Sequence, residues 1–299
     1  MNYLLRSMLF FPAYKEKFLE KAALCDADAI IFDLEDSVPE GKRRQARQVL
    51  GGYLKKGIFD GRQLFIRVNK LGGEDLLEDL KLIEGERIAG IVVPKICGAE
   101  DIREFAKLLE ECERREGLKD GSLKLLPLIE NAQAVMNVQE IAGCSGRIIA
   151  LLFGGEDYLD SVWGKHTDPP RAFDVPRAMI VMAARMHDIL PIDTPYLGLK
   201  NREGFMKEEG EACCLGFAGA LLVNPVQIPW ANECFQPSCE EMRQAQKVLD
   251  AVEGMRAAGE SIAMLDGRMI GPPMIKRARK VLELKRKLEE KEAKNYGDR

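Results

Sequence analysis

Histidine is scarce in this sequence of 299 residues, which contains only His166 and His187. Neither histidine has the spacing to a cysteine that a zinc site requires, so we do not expect bound zinc. The eight cysteines are scattered along the chain, and no two of them form a CxxC pair. This arrangement argues against a disulfide scaffold and predicts reduced cysteines in the core of a cytoplasmic protein.

Long apolar runs and blocks of positive charge are missing as well. No apolar run reaches the ~18–20 residues of a membrane helix, and the first residues lack the basic start and apolar stretch of a secretory signal. The chain has 44 Lys and Arg residues against 48 Asp and Glu residues, which gives a formal net charge of −4. We therefore expect a soluble globular protein that binds neither membranes nor nucleic acid.

Short apolar runs alternate with longer amphipathic stretches. The eight runs are residues 8–11, 29–32, 64–68, 90–93, 125–129, 148–153, 189–192 and 219–223. Continuous apolar runs are typical of parallel strands that are buried on both faces and joined by helical crossovers. Eight such units in about 225 residues predict a (β/α)8 TIM barrel. An open doubly wound sheet is the alternative, and the lack of both GxGxxG and a Walker A loop disfavours it.

The pattern changes near residue 230. We therefore assign residues 1–230 to a catalytic barrel and residues 231–299 to a C-terminal helical extension. Near the end of the chain, Val281, Leu284 and Leu288 lie on one apolar stripe of a highly charged helix. The simplest expectation is that this stripe packs on its own domain, and packing on a neighbouring subunit is the alternative.

Polar residues follow the predicted strands, where the carboxyl ends of a barrel build its chemistry. They are Asp33, Glu35, Asp36, Arg67, Asn69, Lys95, Glu130, Asn131, residues 154–157, Asp193, Thr194 and Asn224. Arg6 precedes the first strand, so a simple barrel places it near the opposite face.

The acidic residues of this set suggest a metal site. Several carboxylates at one edge repel each other unless a cation lies among them. Oxygen ligands without His or Cys favour Mg²⁺ first and Mn²⁺ second. Glu130 and Asp157 follow consecutive strands, so we expect both to reach one ion that polarises a substrate carbonyl. The alternative is that these acids cap helices or pair with Arg67 and Lys95.

Glycine and arginine residues of the same set suit substrate binding. At Gly154 and Gly155 the backbone can approach a ligand and expose N–H groups to a substrate carboxylate, although a tight turn would also explain both glycines. Arg67 offers a planar fork to a carboxylate, or positive charge to an enolate oxygen. Its alternative role is an ion pair with Asp33, Glu35 or Asp36.

A series of short strings, in order along nearly the whole chain, resembles the citrate lyase beta-chain and malyl-CoA lyase-like family, which is related to the metal-dependent pyruvate aldolases. The strings are RSMLFFP at Arg6, DLEDSV, RVN, VPK, PLIEN, FGGEDYLDSVWG, DTPY at Asp193, GFAGALLVNPVQI at Gly216 and DGRMIGPPM at Asp266. The resemblance implies a TIM barrel with a C-terminal lid, assembled as trimers or hexamers. It implies Mg²⁺ at Glu130 and Asp157, and substrate binding or enolate stabilisation by Arg67.

The resemblance also implies acid/base chemistry by Asp266, from a segment that reaches over a neighbouring subunit's site. Glu35 and Asp36 are further catalytic candidates. Substrate-binding candidates are Arg6, Arg67, Lys95, Gly155 and Glu156.

We therefore expect a lyase that cleaves or forms a 3-hydroxyacyl-CoA thioester carrying carboxylates, with a 2-oxo acid and an acyl-CoA as products. One alternative is the beta subunit of a multi-subunit citrate lyase that acts on acyl-carrier thioesters with partner subunits. Another is a metal-dependent aldolase of free 2-oxo acids, which is disfavoured because neither histidine is placed to act as its base. Family members often carry GFDGK where this chain has residues 216–220 as GFAGA, an acid where it has Gly271 and a His where it has Asn224. The acyl partner therefore stays open.

Overall fold

The computed structural model describes residues 3–257 and 262–297. It divides into two compact units, Met1–Phe235 and Gln236–Arg299.

The first unit is a closed barrel of eight parallel strands, in which β8 pairs back onto β1. The strands are β1 (Ser7–Pro12), β2 (Ala29–Asp33), β3 (Leu64–Arg67), β4 (Gly90–Val93), β5 (Lys124–Ile129), β6 (Ala150–Phe153), β7 (Leu190–Asp193) and β8 (Gly219–Leu222). The predicted TIM barrel is therefore confirmed, and the open sheet was the wrong alternative.

Helices return the chain between the strands. They are α1 (Glu16–Leu24), α2 (Arg43–Lys55), α3 (Glu74–Leu80), α4 (Ala99–Glu116), α5 (Ala132–Met136), α6 (Val138–Gly143), α7 (Gly155–Ser161), α8 (Asp174–Met186), α9 (Arg202–Leu215) and α10 (Ile228–Cys234). The short helices α7 and α10 were not predicted, because Gly-Gly opens the first and a proline follows the first residue of the second.

The core of the barrel unit has two layers. Alternate strand residues such as Phe65, Leu126 and Leu152 form one cluster, and their neighbours such as Ile66 pack with the helices in a larger one. Successive side chains of a strand point to opposite faces. Arg67, two residues after Phe65, therefore points into the barrel at the carboxyl end of β3. We call this end of the barrel, where β2 to β6 deliver Asp33, Arg67, Glu130 and Gly154, the mouth.

The second unit consists of α11 (Cys239–Ala257), a hairpin of β9 (Met264–Leu265) and β10 (Arg268–Met269), and α12 (Pro272–Gly297). Val248 and Val252 of α11, Ile270, and Ala278 of α12 share its small apolar core. Asp266 and Gly267 form the two-residue turn of the hairpin with φ values of 50° and 75°. Positive φ at both positions is the requirement of a type I′ turn, which Asp-Gly meets readily. Within the described ranges, no helix has the length and apolar character needed to cross a bilayer.

Candidate active site

Arg67 is the centre of the charged cluster at the mouth. Its Nε and Nη2 donate to the Asp33 carboxylate at 2.7 and 2.6 Å. Burial opposes the charged form of Arg67, but the charge of Asp33 and these hydrogen bonds raise the pKa of the guanidinium above its usual value. Asp33 also accepts the backbone N–H groups of Glu35 and Ser37 at 3.0 Å, which fixes the loop after β2. The predicted ion pair of Arg67 therefore exists, with Asp33 as its principal partner.

Lys95, which follows β4, contacts the acidic residues of the loop after β2. Its Nζ contacts Glu35 Oε1 and lies 2.9 Å from Asp36 Oδ1. Burial raises the pKa of Glu35 in spite of the positive charges of Lys95 and Arg67. At Asp36, the Lys95 hydrogen bond and the Arg67 charge outweigh partial burial, so its pKa is lowered. Two adjacent acids therefore differ in their readiness to hold a proton, which is the usual basis for dividing acid and base roles.

Glu130, at the end of β5, is held by the backbone of Lys95. The Lys95 N–H donates to Glu130 Oε1 at 2.5 Å, and Lys95 adopts a positive φ of 53°. Such a conformation is uncommon for a residue with a side chain and is found mainly where surrounding structure enforces it. It directs the amide of Lys95 to Glu130 and its ammonium to the β2 loop.

Electrostatics at Glu130 favour a cation. The side chain is 3 % exposed, and its Oε2 has no hydrogen-bond partner within the described part of the chain. Burial, reinforced by the charges of Asp157 and Glu35, raises the pKa of Glu130 to about 8. Asp157 stays exposed at the first turn of α7, where partial desolvation and the charge of Asp36 raise its pKa.

The carboxyl groups of Glu130 and Asp157 therefore fit a divalent cation that would satisfy the free oxygen and offset the mutual repulsion. Among residues 3–257 and 262–297, no group of three or more His, Cys, Asp and Glu side chains is arranged to hold a metal ion. A cation bound by these two carboxylates would therefore complete its coordination with water and substrate oxygens.

Gly154 and Gly155 allow the α7 segment to lie close to its neighbours. A Cβ on Gly154 would come within 2.6 Å of Glu130 Cβ, and a Cβ on Gly155 within 2.7 Å of Thr194 Oγ1. The N–H of Gly155 donates to that oxygen at 2.8 Å. Thr194 therefore accepts the Gly155 N–H, and the absence of a side chain at Gly155 allows close packing; its role in substrate binding stays a prediction.

The other predicted site residues are Arg6, Glu156 and Asp266. Arg6 is buried at the amino end of β1, where its Nε and Nη2 donate to Asp28 at 2.8 and 2.9 Å, so it does not reach the mouth. The carboxylate of Glu156 is exposed and lies 3.3 Å from His166 Nε2. Asp266 is exposed at the hairpin tip of the second unit.

Asp193 also differs from the expectation. It follows Ile192, which faces the barrel interior, and therefore points outward. There its Oδ1 accepts from Arg177 Nε of α8 at 3.1 Å, and its Oδ2 lies 2.9 Å from Arg177 Nη2. Arg177 also contacts Glu208 of α9 at 2.8 Å. Nearby, Glu209 is fully buried, both its carboxyl oxygens have no hydrogen-bond partner among the described residues, and burial raises its pKa well above the usual value. This network supports the barrel wall and does not line the mouth.

The closed barrel with its charged carboxyl-end cluster places this chain among the TIM-barrel proteins. A family model described as HpcH/HpaI aldolase/citrate lyase matches residues 6–225. The chain belongs to this family of aldolases and citrate lyases, which confirms the resemblance found in the sequence.

Individual relatives agree with this membership. The chain is 32% identical over 278 residues to citrate lyase subunit beta of Haemophilus influenzae, covering 93% of this chain and 96% of that protein. It is 31% identical over 277 residues to a (3S)-malyl-CoA thioesterase of Cereibacter sphaeroides, covering 93% of each chain. A solved citrate lyase beta subunit from M. tuberculosis, complexed with oxaloacetate and magnesium, is similar with a TM-score of 0.64 and 26% identity, covering 79% of this chain and 100% of that chain.

Proposed function

We propose that this protein is a Mg²⁺-dependent carbon–carbon lyase. It cleaves, or forms, a 3-hydroxy dicarboxyl or tricarboxyl acyl-CoA thioester such as citryl-CoA, malyl-CoA or citramalyl-CoA, with a 2-oxo acid and an acyl-CoA as products. The observation that carries this proposal is the buried, unpartnered Oε2 of Glu130 at the mouth, beside Arg67 and Asp157. The similar M. tuberculosis protein, solved with oxaloacetate and magnesium, supports a 2-oxo acid and Mg²⁺ as ligands.

Glu130 and Asp157 are the residues that would hold Mg²⁺, with Mn²⁺ as a second candidate for the same oxygen ligands. Bound there, the ion supplies a Lewis acid for oxygens of the 2-oxo-acid half of the substrate. Glu130 suits this position because Lys95 holds its Oε1 and leaves Oε2 free.

Arg67 is placed to stabilise a negatively charged oxygen. Its Nη1 lies 3.7 Å from Glu35 and 3.9 Å from Asp36, beyond hydrogen-bond distance. Since no described residue accepts a hydrogen bond from Nη1, its N–H groups remain to donate to the substrate, while Asp33 fixes the rest of the guanidinium. A preorganised donor of this kind stabilises charge as it develops. Lys95 adds positive charge for a substrate carboxylate.

The chemistry needs one base and one acid. The 3-hydroxyl gives its proton to a base, the bond between that carbon and its neighbour on the thioester side breaks, and the electron pair forms the thioester enolate. A proton delivered to the enolate carbon completes the acyl-CoA. We assign this acid/base role first to Asp266, which the family resemblance implies and which lies exposed at a hairpin tip. Glu35 and Asp36 are the second candidates.

We further propose that residues 231–299 act as a lid over a neighbouring subunit's site in a homotrimer or hexamer. The support is the family resemblance, which places Asp266 in such a segment. Sedimentation equilibrium measures the assembly, and a monomer would contradict a shared site.

Two relatives define the competing activities. Citrate lyase beta subunits suggest that the chain could require partner subunits and an acyl carrier, and the malyl-CoA thioesterase relative suggests hydrolysis of the same class of thioester. A metal-dependent aldolase of free 2-oxo acids is the third candidate.

The products distinguish these activities. Purified protein is incubated with citryl-, malyl-, methylmalyl- and citramalyl-CoA, and with free 2-oxo acids, with and without Mg²⁺, and the products are resolved by liquid chromatography. A lyase releases a 2-oxo acid and an acyl-CoA, whereas a thioesterase releases a hydroxy acid and free CoA thiol. Mg²⁺-dependent release of a 2-oxo acid is the expected result, and Glu130→Ala is the inactive control. Free thiol alone, or no turnover without partner proteins, would overturn the proposal.

A further inference from the structure

Thr194 links the barrel wall to the segment that carries Asp157. It follows the last residue of β7, is 3 % exposed, and accepts the Gly155 N–H at 2.8 Å through Oγ1. Gly155 is the first residue of α7, and Asp157 lies in the same first turn. A hydrogen bond at Gly155 therefore sets the position of the turn from which the Asp157 carboxylate projects.

The position of Thr194 is itself fixed from the outer face of the barrel. The residue directly before Thr194 is Asp193, which points outward and is fully buried. Arg177 holds the Asp193 carboxylate with two nitrogens at 2.9 and 3.1 Å, and the guanidinium is anchored in turn by Glu208. The residue before Thr194 is thus held on the outer face, while the Thr194 hydroxyl is directed to α7.

The contact at Gly155 has little freedom. A Cβ there would approach Thr194 Oγ1 to 2.7 Å and Phe173 Cζ to 2.9 Å. The start of α7 therefore rests directly on the Thr194 side chain, and loss of the hydroxyl would leave a buried N–H without this acceptor.

We propose that Thr194 is a positioning residue that holds Asp157 in register with Glu130 for binding the divalent cation. This inference rests on the proposed metal site. Outer partners that orient metal ligands typically change metal affinity or activity by roughly 10- to 100-fold when they are removed. Thr194 acts here through the backbone of Gly155, not through contact with the ion.

The test measures cation affinity without substrate. Mn²⁺ binding is titrated by electron paramagnetic resonance, Mg²⁺ by competition, and each variant is first shown to be folded by circular dichroism. Thr194→Val keeps the branched shape but removes the acceptor, and it should weaken Mn²⁺ binding by roughly 10- to 100-fold. Thr194→Ser keeps the hydroxyl and should bind close to wild type. If the valine variant does not fold, Thr194→Ala takes its place.

Thr167→Val is the matched control, because within the described part of the chain the Thr167 hydroxyl bonds only to the backbone of its own exposed loop. It should not change Mn²⁺ affinity. Unchanged affinity in Thr194→Val, or an equal loss in Thr194→Ser or Thr167→Val, would overturn the inference, as would a wild type that binds no Mn²⁺. A wild type that binds Mn²⁺ in this Thr194-dependent way but cleaves no thioester would overturn the proposed lyase function alone.

Discussion

Replacing Glu130 with glutamine tests whether the barrel buries a carboxylate whose negative charge destabilises the fold unless a cation is bound. Glutamine keeps the shape and still accepts the Lys95 N–H, but it cannot ionise. In wild type, burial, aided by nearby carboxylates, raises the pKa of Glu130 to about 8 from the usual 4.5. Without divalent cations, the variant should therefore become more stable than wild type as the pH rises.

The sign and size follow from linkage. A raised carboxyl pKa means that the folded protein retains a proton which the unfolded chain has lost between pH 4.5 and about 8, so folding stability falls as the pH rises through this window. At about 1.4 kcal/mol per pH unit, the raised pKa of Glu130 costs the folded state about 5 kcal/mol at pH 9 and less than about 1 kcal/mol at pH 5. The free energy of unfolding of Glu130→Gln minus that of wild type should therefore rise from pH 5 to pH 9 by the difference between these two costs.

Guanidinium unfolding at pH 5 and pH 9 in the presence of a chelator measures this change. Glu113→Gln is the control, because Glu113 is also buried but is paired with Arg147 at 2.7 and 2.8 Å, which lowers its pKa in spite of burial. Its stabilising effect is complete above pH 4.5 and is lost only at lower pH, so this variant should be destabilised equally at pH 5 and pH 9. Added Mg²⁺ should stabilise wild type but not Glu130→Gln. The same stability difference between Glu130→Gln and wild type at both pH values would refute the reasoning.

Two further variants test the remaining catalytic assignments. Arg67→Lys loses the planar fork that binds Asp33 and the free Nη1 donors, so turnover of the thioester should fall on the order of 10²-fold without unfolding, measured as kcat; retained turnover would contradict the assignment. Asp266→Asn should lower kcat more than it changes KM, and mixing it with Arg67→Ala should restore part of the activity if the lid crosses between subunits; no recovery would argue against a shared site.

The strands were predictable because each buried parallel strand coincides with a short apolar run. Residues 29–32 were predicted and Ala29–Asp33 was found, and residues 189–192 became Leu190–Asp193. The helix α7 was harder to predict because it begins at Gly155, and glycine has a low helix propensity. At its start, Gly155 donates to Thr194 and Gly154 lies close to Glu130, and both partners come from distant parts of the sequence.

Within the site, the sequence indicated which residues follow strands but not which face they occupy. The run around Ile192 is apolar at every position, so no alternation showed that Asp193 points outward. The positive φ of Lys95 and its amide contact with Glu130 could not be predicted either, because lysine has no preference for that backbone conformation. By contrast, Arg67 and Glu130 were found correctly at the mouth, since both directly end or follow strands whose inward positions the barrel fixes.

Glu209 offers a way to make a more heat-resistant form of the protein. Its carboxyl group lies fully buried on the outer side of the barrel wall, and neither oxygen has a hydrogen-bond partner among the described residues. An unsatisfied buried polar group lowers the stability of the fold, and an apolar side chain of similar length removes that burden. A substitution that raises thermal stability can therefore be sought at Glu209 on α9, which lies on the opposite side of the barrel wall from the mouth cluster.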